Sequence, residues 1–157
     1  MRDVIIGITP PAAFLNTAYL VIAIGAGVIC FYKYNWIIKL SKPVIFFDAI
    51  GLGLFCVVGA QKALQAGLSP LFAALLGMFT AIGGGIVADI LSQQKPMVFH
   101  RDIYTLAALA GALVLTFGVT VGIPIYVFAP LGAVLAISMR LIALQYDWNL
   151  PNADPHS

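Results

Sequence analysis

Charge is what this sequence has least of. Of its 157 residues only 9% are Asp, Glu, Lys or Arg, while 62% are hydrophobic and the mean hydropathy is +1.03. A soluble domain of this length covers its surface with far more charge. No charged residue falls between Ile103 and Met139, and the stretches Val4 to Tyr32 and Ala63 to Ala88 are equally bare. Such runs exceed the roughly 20 apolar residues that cross a hydrocarbon core about 30 Å thick. A very hydrophobic soluble bundle would still need polar faces at helical spacing, and none of these runs supplies one. The expected fold class is therefore all-α, a polytopic helical membrane protein with the lipid bilayer as its first partner.

Other scarcities exclude other chemistry. Cys30 and Cys56 both fall inside apolar stretches, without paired spacing or a nearby His, and read as small core residues rather than a metal site or disulfide. His100 lies in a loop and His156 in the tail, with no carboxylate or Cys pattern around either. No nucleophile, base and orienter can be assembled, so the sequence supports neither an enzyme nor a cofactor. The net charge of +2 is small and its basic residues are dispersed, which argues against a nucleic-acid partner. Met1 to Phe14 lacks the basic start, apolar run and cleavage site of a signal peptide, so targeting rests on the spans themselves.

Five spans can be placed, at about Leu15 to Tyr32, Val44 to Gln61, Ser69 to Leu91, Ile103 to Val121 and Ile125 to Leu144. Ser69-Pro70 is a cap and first-turn pair. The uncharged tract after Asp102 is too long for one helix and is divided by turn residues at Gly118, Gly122 and Pro124. The polar tail 147–157 is expected to be disordered. Lys33, Lys39 and Lys42 in the first loop, Lys95 and Arg101 in the third, and Arg140 near the last span's end all fall on one side of the membrane. Only Arg2 and Lys62 fall on the other. The positive-inside rule then predicts an inner-membrane protein with its Lys-rich loops and C-terminus in the cytoplasm. Tyr32, Tyr34, Trp36, Tyr104, Tyr146 and Trp148 gather at that same face, where amphipathic rings favour the headgroup layer.

The chain also repeats itself. Asp3 and Pro10 match Asp89 and Pro96 at one common offset, and the small-residue texture of Ala23, Gly25, Ala26 and Gly27 resembles that of Ala107, Ala108, Gly111 and Ala112. Units of three spans, an odd number, must lie in opposite orientations across the bilayer, as in many transport proteins. The copy from Phe47 to Val121 reads as whole. The other begins at its middle, which leads to the expectation of a misassigned start or a truncated gene. The expected organisation is a remnant of the first repeat at 1–32, a cytoplasmic loop at 33–43, a second repeat at 44–121, a final transmembrane helix at 122–146 and the tail.

The polar chemistry concentrates in the third span, where Thr80 precedes Gly83-Gly84-Gly85 and Asp89 follows. Each Gly costs about 1 kcal/mol relative to Ala in a helix interior, so three in succession predict a weakened or broken helix. Backbone freed inside a membrane must face protein or water, and half-helix ends attract ions. The triplet is therefore a candidate permeation or binding site. The plainer reading is that small residues only allow close packing, as is expected of Gly51, Gly53, Gly59 and Gly77. Asp48 and Lys62, at span ends, are candidates for either pore-side or interfacial charge.

The run Phe47-Asp48-Ala49-Ile50-Gly51-Leu52, then Val58-Gly59-Ala60-Gln61-Lys62-Ala63-Leu64, Gly67-Leu68-Ser69-Pro70 and Gly83-Gly84-Gly85 with Asp89 resembles the second repeat of the prokaryotic trimeric intracellular cation channel (TRIC) family, also described as a glycine transporter domain family. The resemblance implies seven spans in a complete member, inverted three-span repeats plus a final helix, a pore within each protomer and a homotrimer. It puts the pore-bending triplet at Gly83, Gly84 and Gly85, with Asp89 in the charged pair that follows. Ala88 stands where the family usually has Arg, and the equivalent pair in the first repeat survives as Arg2-Asp3. The function so implied is a monovalent cation channel, most concretely for potassium. The alternatives are a transporter of glycine or another small neutral solute, and a truncated, non-conducting membrane protein.

Overall fold

The computed structural model describes residues 2–15, 17–32, 41–91 and 102–146, and all regular structure among them is helical. The helices are α1 (Arg2–Ile5), α2 (Ala12–Leu15), α3 (Thr17–Tyr32), α4 (Ser41–Gln65), α5 (Pro70–Leu91), α6 (Asp102–Thr120) and α7 (Ile125–Gln145). A bilayer offers no hydrogen-bond partners, so an apolar backbone satisfies itself as helix. Four helices, α4 to α7, contain segments long and apolar enough to cross a membrane. The remaining predicted span corresponds to α3, whose 16 residues extend about 24 Å at about 1.5 Å per residue. The polar tail, the histidines His100 and His156, and the loop residues Lys33, Lys39, Lys95 and Arg101 lie outside the described residues, whereas Lys42, expected in the first loop, lies in the first turn of α4.

The ends of the elements follow from local chemistry. Pro70 opens α5 at the predicted place, where its missing N–H leaves no bond unmade. Gly67 closes α4 with φ +86°, donating from its N–H to the Leu64 carbonyl while Leu68 N–H reaches back to Ala63 at 3.1 Å. Gly122 closes α6 in the same way, at φ +81°, with Ile123 N–H bonded to Gly118. These paired bonds are Schellman caps, and the left-handed residue within each is one that lacks a Cβ. Gly118, predicted as a turn residue, instead lies inside α6, packed on the Phe128 ring.

The chain divides into two compact units, residues 1–48 and 49–157, with the boundary inside α4. The first holds α1 to α3. The second is a bundle of the rest of α4 with α5, α6 and α7, held by small residues in register. A Cβ added to Gly77 on α5 would meet the Cys56 carbonyl of α4 at 2.5 Å, and one on Gly53 would meet the Ala133 carbonyl of α7 at 2.7 Å. Gly111 and Gly132 bring the backbones of α6 and α7 together in the same fashion. Small residues serve here because lipid tails are as apolar as Leu, leaving close van der Waals contact as the main attraction between helices. Around these crossings pack Leu52, Val57, Met78, Ile82 and Leu115.

Candidate functional site

The predicted break does not occur: α5 is helical without interruption from Pro70 through Leu91, Gly83 to Gly85 included. The propensity cost of about 1 kcal/mol per Gly is measured in water, which competes for backbone groups. In an apolar span that competition is weak, and an opened hydrogen bond costs several kcal/mol. The helix therefore survives its glycines.

What the triplet provides is bare backbone rather than broken backbone. Among the described residues a Cβ on Gly83 or Gly84 would meet nothing within 4 Å, as at Gly25 and Gly27 of α3 and in contrast to the crossing glycines Gly53, Gly59, Gly77, Gly111 and Gly132. Gly84 and Gly85 are exposed and Gly83 half-buried. Gly85 is bounded by Tyr104, whose hydroxyl would lie 3.9 Å from its added Cβ. Close packing, the plainer reading, thus accounts for Gly53, Gly59 and Gly77 but not for Gly51, whose added Cβ would meet only Phe55 of its own helix at 3.9 Å, nor for the triplet.

The other predicted site residues are distributed unevenly. Thr80 is four residues before Gly84 and on the same helix face. Its Oγ1 donates to the Leu76 carbonyl at 2.6 Å, and the side chain lies against Gly59 of α4. It is thus tied into the α4–α5 packing. Asp89, one turn past Gly85, is half-buried. Lys62 is half-buried in the last turn of α4, beyond the small-residue crossings. Asp48 is exposed. Arg2 and Asp3 belong to the first unit, where the guanidinium Nη2 lies 2.7 Å from Asp3 Oδ1 and Nε donates to the same oxygen at 2.9 Å. Cys56 is buried as expected, its thiol donating to the Gly53 carbonyl at 3.2 Å.

Two residues read from the sequence as surface features lie inside the second unit. Tyr104 is 6% exposed, and Arg140 is 2% exposed with its guanidinium carbon 4.5 Å from the centroid of the Tyr104 ring. The ring is therefore a packing surface for a buried cation rather than a headgroup anchor. The available sequence signal was that Arg140, although near the end, is the one charged residue of the last apolar span.

Comparison with known proteins places this geometry in a family. A family model described as "Glycine transporter" matches residues 45–120. The UPF0126 membrane protein YvgT of Bacillus subtilis is 33% identical over 157 residues, covering 97% of this chain and 74% of that protein. A solved structure concerned with conductance through TRIC cation channels superposes with a TM-score of 0.93 at 28% identity, covering 99% of this chain and 77% of the other. The chain belongs to the TRIC family. It is accordingly a polytopic helical membrane protein. Among the family's relatives, the inner membrane protein YadS of Escherichia coli is 35% identical over 114 residues, 72% of this chain, and the chain spans 54% of that protein's length.

Proposed function

We propose that this chain forms the conducting part of a monovalent cation channel, with potassium as the concrete permeant, and that the path runs along the bare face at Gly83, Gly84 and Gly85. The observation that carries this reading is the contrast among the glycines of α5. Gly77 is filled against a neighbouring helix, whereas Gly83 and Gly84 have open space where a side chain would stand. A helix that omits side chains toward open space leaves a groove lined by backbone, whose carbonyl oxygens keep their helical hydrogen bonds and offer a hydrated cation only their outer lone pairs. The TM-score of 0.93 to a TRIC cation channel structure supports the same reading. Asp89 adds a negative field one turn away, and Thr80 fixes the helix that carries the strip.

Further parts of the reading are a homotrimer with one path in each protomer, inverted repeats, and an inner-membrane orientation with the Lys-rich loops and the C-terminus cytoplasmic. Lys62 serves in it as a charge at the end of the path or the membrane interface, and Asp48, Arg2 and Asp3, in the first unit, as interfacial charges. Potassium flux into proteoliposomes tests the central claim. Gly84→Leu should lower the flux at least tenfold while leaving the protein folded, because an added Cβ there meets no atom of the described residues within 4 Å. Equal flux in the variant would remove the strip from the path. The second reading, uptake of glycine or another small neutral solute, is favoured by the description of the matching family model. Potassium-independent accumulation of labelled glycine would support it.

A further inference from the structure

Away from the glycine strip, α5, α6 and α7 enclose a groove at the end of the bundle where α5 and α7 begin. Its floor is one face of α6, on which Leu113, Thr116, Phe117 and Thr120 recur at i, i+3, i+4 and i+7. Leu71 in the first turn of α5 and Phe128 of α7 form the walls, and the Phe128 ring rests on the bare backbone of Gly118. Both hydroxyls of the floor are spent on their own helix: Thr116 Oγ1 donates to the Leu113 carbonyl at 3.1 Å, and Thr120 Oγ1 to the Phe117 carbonyl at 2.7 Å. The lining carries no charge and no free side-chain donor. Ions and ordered waters, which need several polar partners, find none there, and the groove suits an apolar occupant.

We propose that this groove is a binding site for an acyl chain of a membrane lipid, seated between α5, α6 and α7. Its size fits that occupant. At roughly 30 Å³ for a methylene, close to a water molecule's share of its liquid, the cavity of 450 Å³ takes a chain of about 15 carbons. Leu113 to Thr120 covers about 10 Å of α6, so the cavity averages roughly 45 Å² in cross-section, about half that of a helix with its side chains. A helix of a second copy is therefore too wide to seat in it. The groove is also continuous with the surface that faces lipid, through Leu71 and Phe117, which are 61% and 68% exposed. A chain enters from the bilayer without crossing the bundle. Leaving bulk lipid for the groove brings no hydrophobic gain, so close van der Waals contact with the Phe128 ring, Leu113 and Val114 is what holds the chain. Recognition then depends on the shape of the chain rather than on the headgroup. The inference is independent of which solute the path carries.

The test is photocrosslinking of the full chain in phosphatidylglycerol vesicles that contain a small share of the same lipid with a diazirine on its acyl chain, the adducts being located by mass spectrometry. Val114 and Phe128 are half-buried groove residues, whereas Phe72 and Phe79 of α5 lie outside the groove and are exposed. Adducts at Val114 and Phe128 should be at least as frequent as at Phe72 and Phe79, although they offer less surface. Val114→Trp and Thr120→Trp fill the groove from different places, so the result does not hang on one variant's folding. Each should cut adducts at Phe128 about fivefold, because close-packed atoms exclude others, and leave those at Phe79 unchanged. Phosphatidylcholine with the same diazirine chain should give the same pattern. Sparser adducts at the groove residues, or an unchanged yield in both filled variants, overturns the inference. A pattern lost with phosphatidylcholine overturns it in favour of the headgroup. A filled variant that elutes as a smaller particle by light scattering overturns it in favour of a second copy of the chain.

Discussion

At the scale of single residues, glycine does two opposite things in this protein. Gly111 and Gly132 are filled positions, where the absent side chain lets two backbones touch. A Cβ on Gly111 would lie 2.6 Å from the Gly132 carbonyl oxygen and 2.8 Å from the Ala136 Cβ. Gly111→Val should therefore force α6 and α7 apart at a cost of about 1–3 kcal/mol or more, read as a lowered thermal midpoint in detergent. Gly84→Ala, at a site with nothing within 4 Å, should leave that midpoint unchanged or raise it, since Ala is better in a helix by about 1 kcal/mol. If the two substitutions destabilise alike, the division of the glycines into contact and open classes fails. The sequence separated isolated glycines, read as packing, from the triplet, read as a site, but it expected the triplet to break a helix that the structure keeps whole.

At the scale of elements, spans were legible because a bilayer leaves few choices. Uncharged runs beyond about 20 residues become helices, and Ser69-Pro70 and Gly122 mark ends by their own backbone chemistry, while α4 runs four residues past the expected Gln61 to end at Gln65 before Gly67. What misled was a propensity learned in water. Three successive glycines predicted a broken α5, and the helix continues through them. Its continuity and its open face together make a prediction for hydrogen exchange. The amides of Gly83 and Gly84 are helical but border open space, whereas Ala73, Ala74, Ala107 and Ala108 are fully buried. Exchange at the triplet should be faster than at those alanines, because local opening there breaks no side-chain packing. Equal protection would indicate a dry, sealed stretch and would count against a hydrated path.

At the scale of the whole molecule, the exposed surface is itself an argument about surroundings. Phe14, Phe31, Phe47, Phe72, Phe117 and Tyr126 are all more than 60% exposed, a pattern compatible only with lipid or with other protein. A trimer is expected in mild detergent, and light scattering on the eluting particle should give three times the chain mass of 16.7 kDa once bound detergent is subtracted. A monomeric particle that still conducts would remove the trimer from the proposal. Orientation has its own test. A single Cys placed in the tail 147–157, in a chain lacking Cys30 and Cys56, should react with an impermeant maleimide only after the inner face is opened. Labelling of intact spheroplasts would reverse the proposed topology.

Taken alone, the sequence determined that the chain is helical, that it belongs in a bilayer, and about where each span starts and stops. Those properties depend on the amount and the spacing of apolar residues along one dimension. Only the tertiary structure decided which way each helix turns. A span apolar on every side has no polar stripe to orient it, so the positions of Gly84 at open space, Gly77 at a crossing and Arg140 behind Tyr104 were set by packing between helices. That is a property of pairs of surfaces rather than of any one segment.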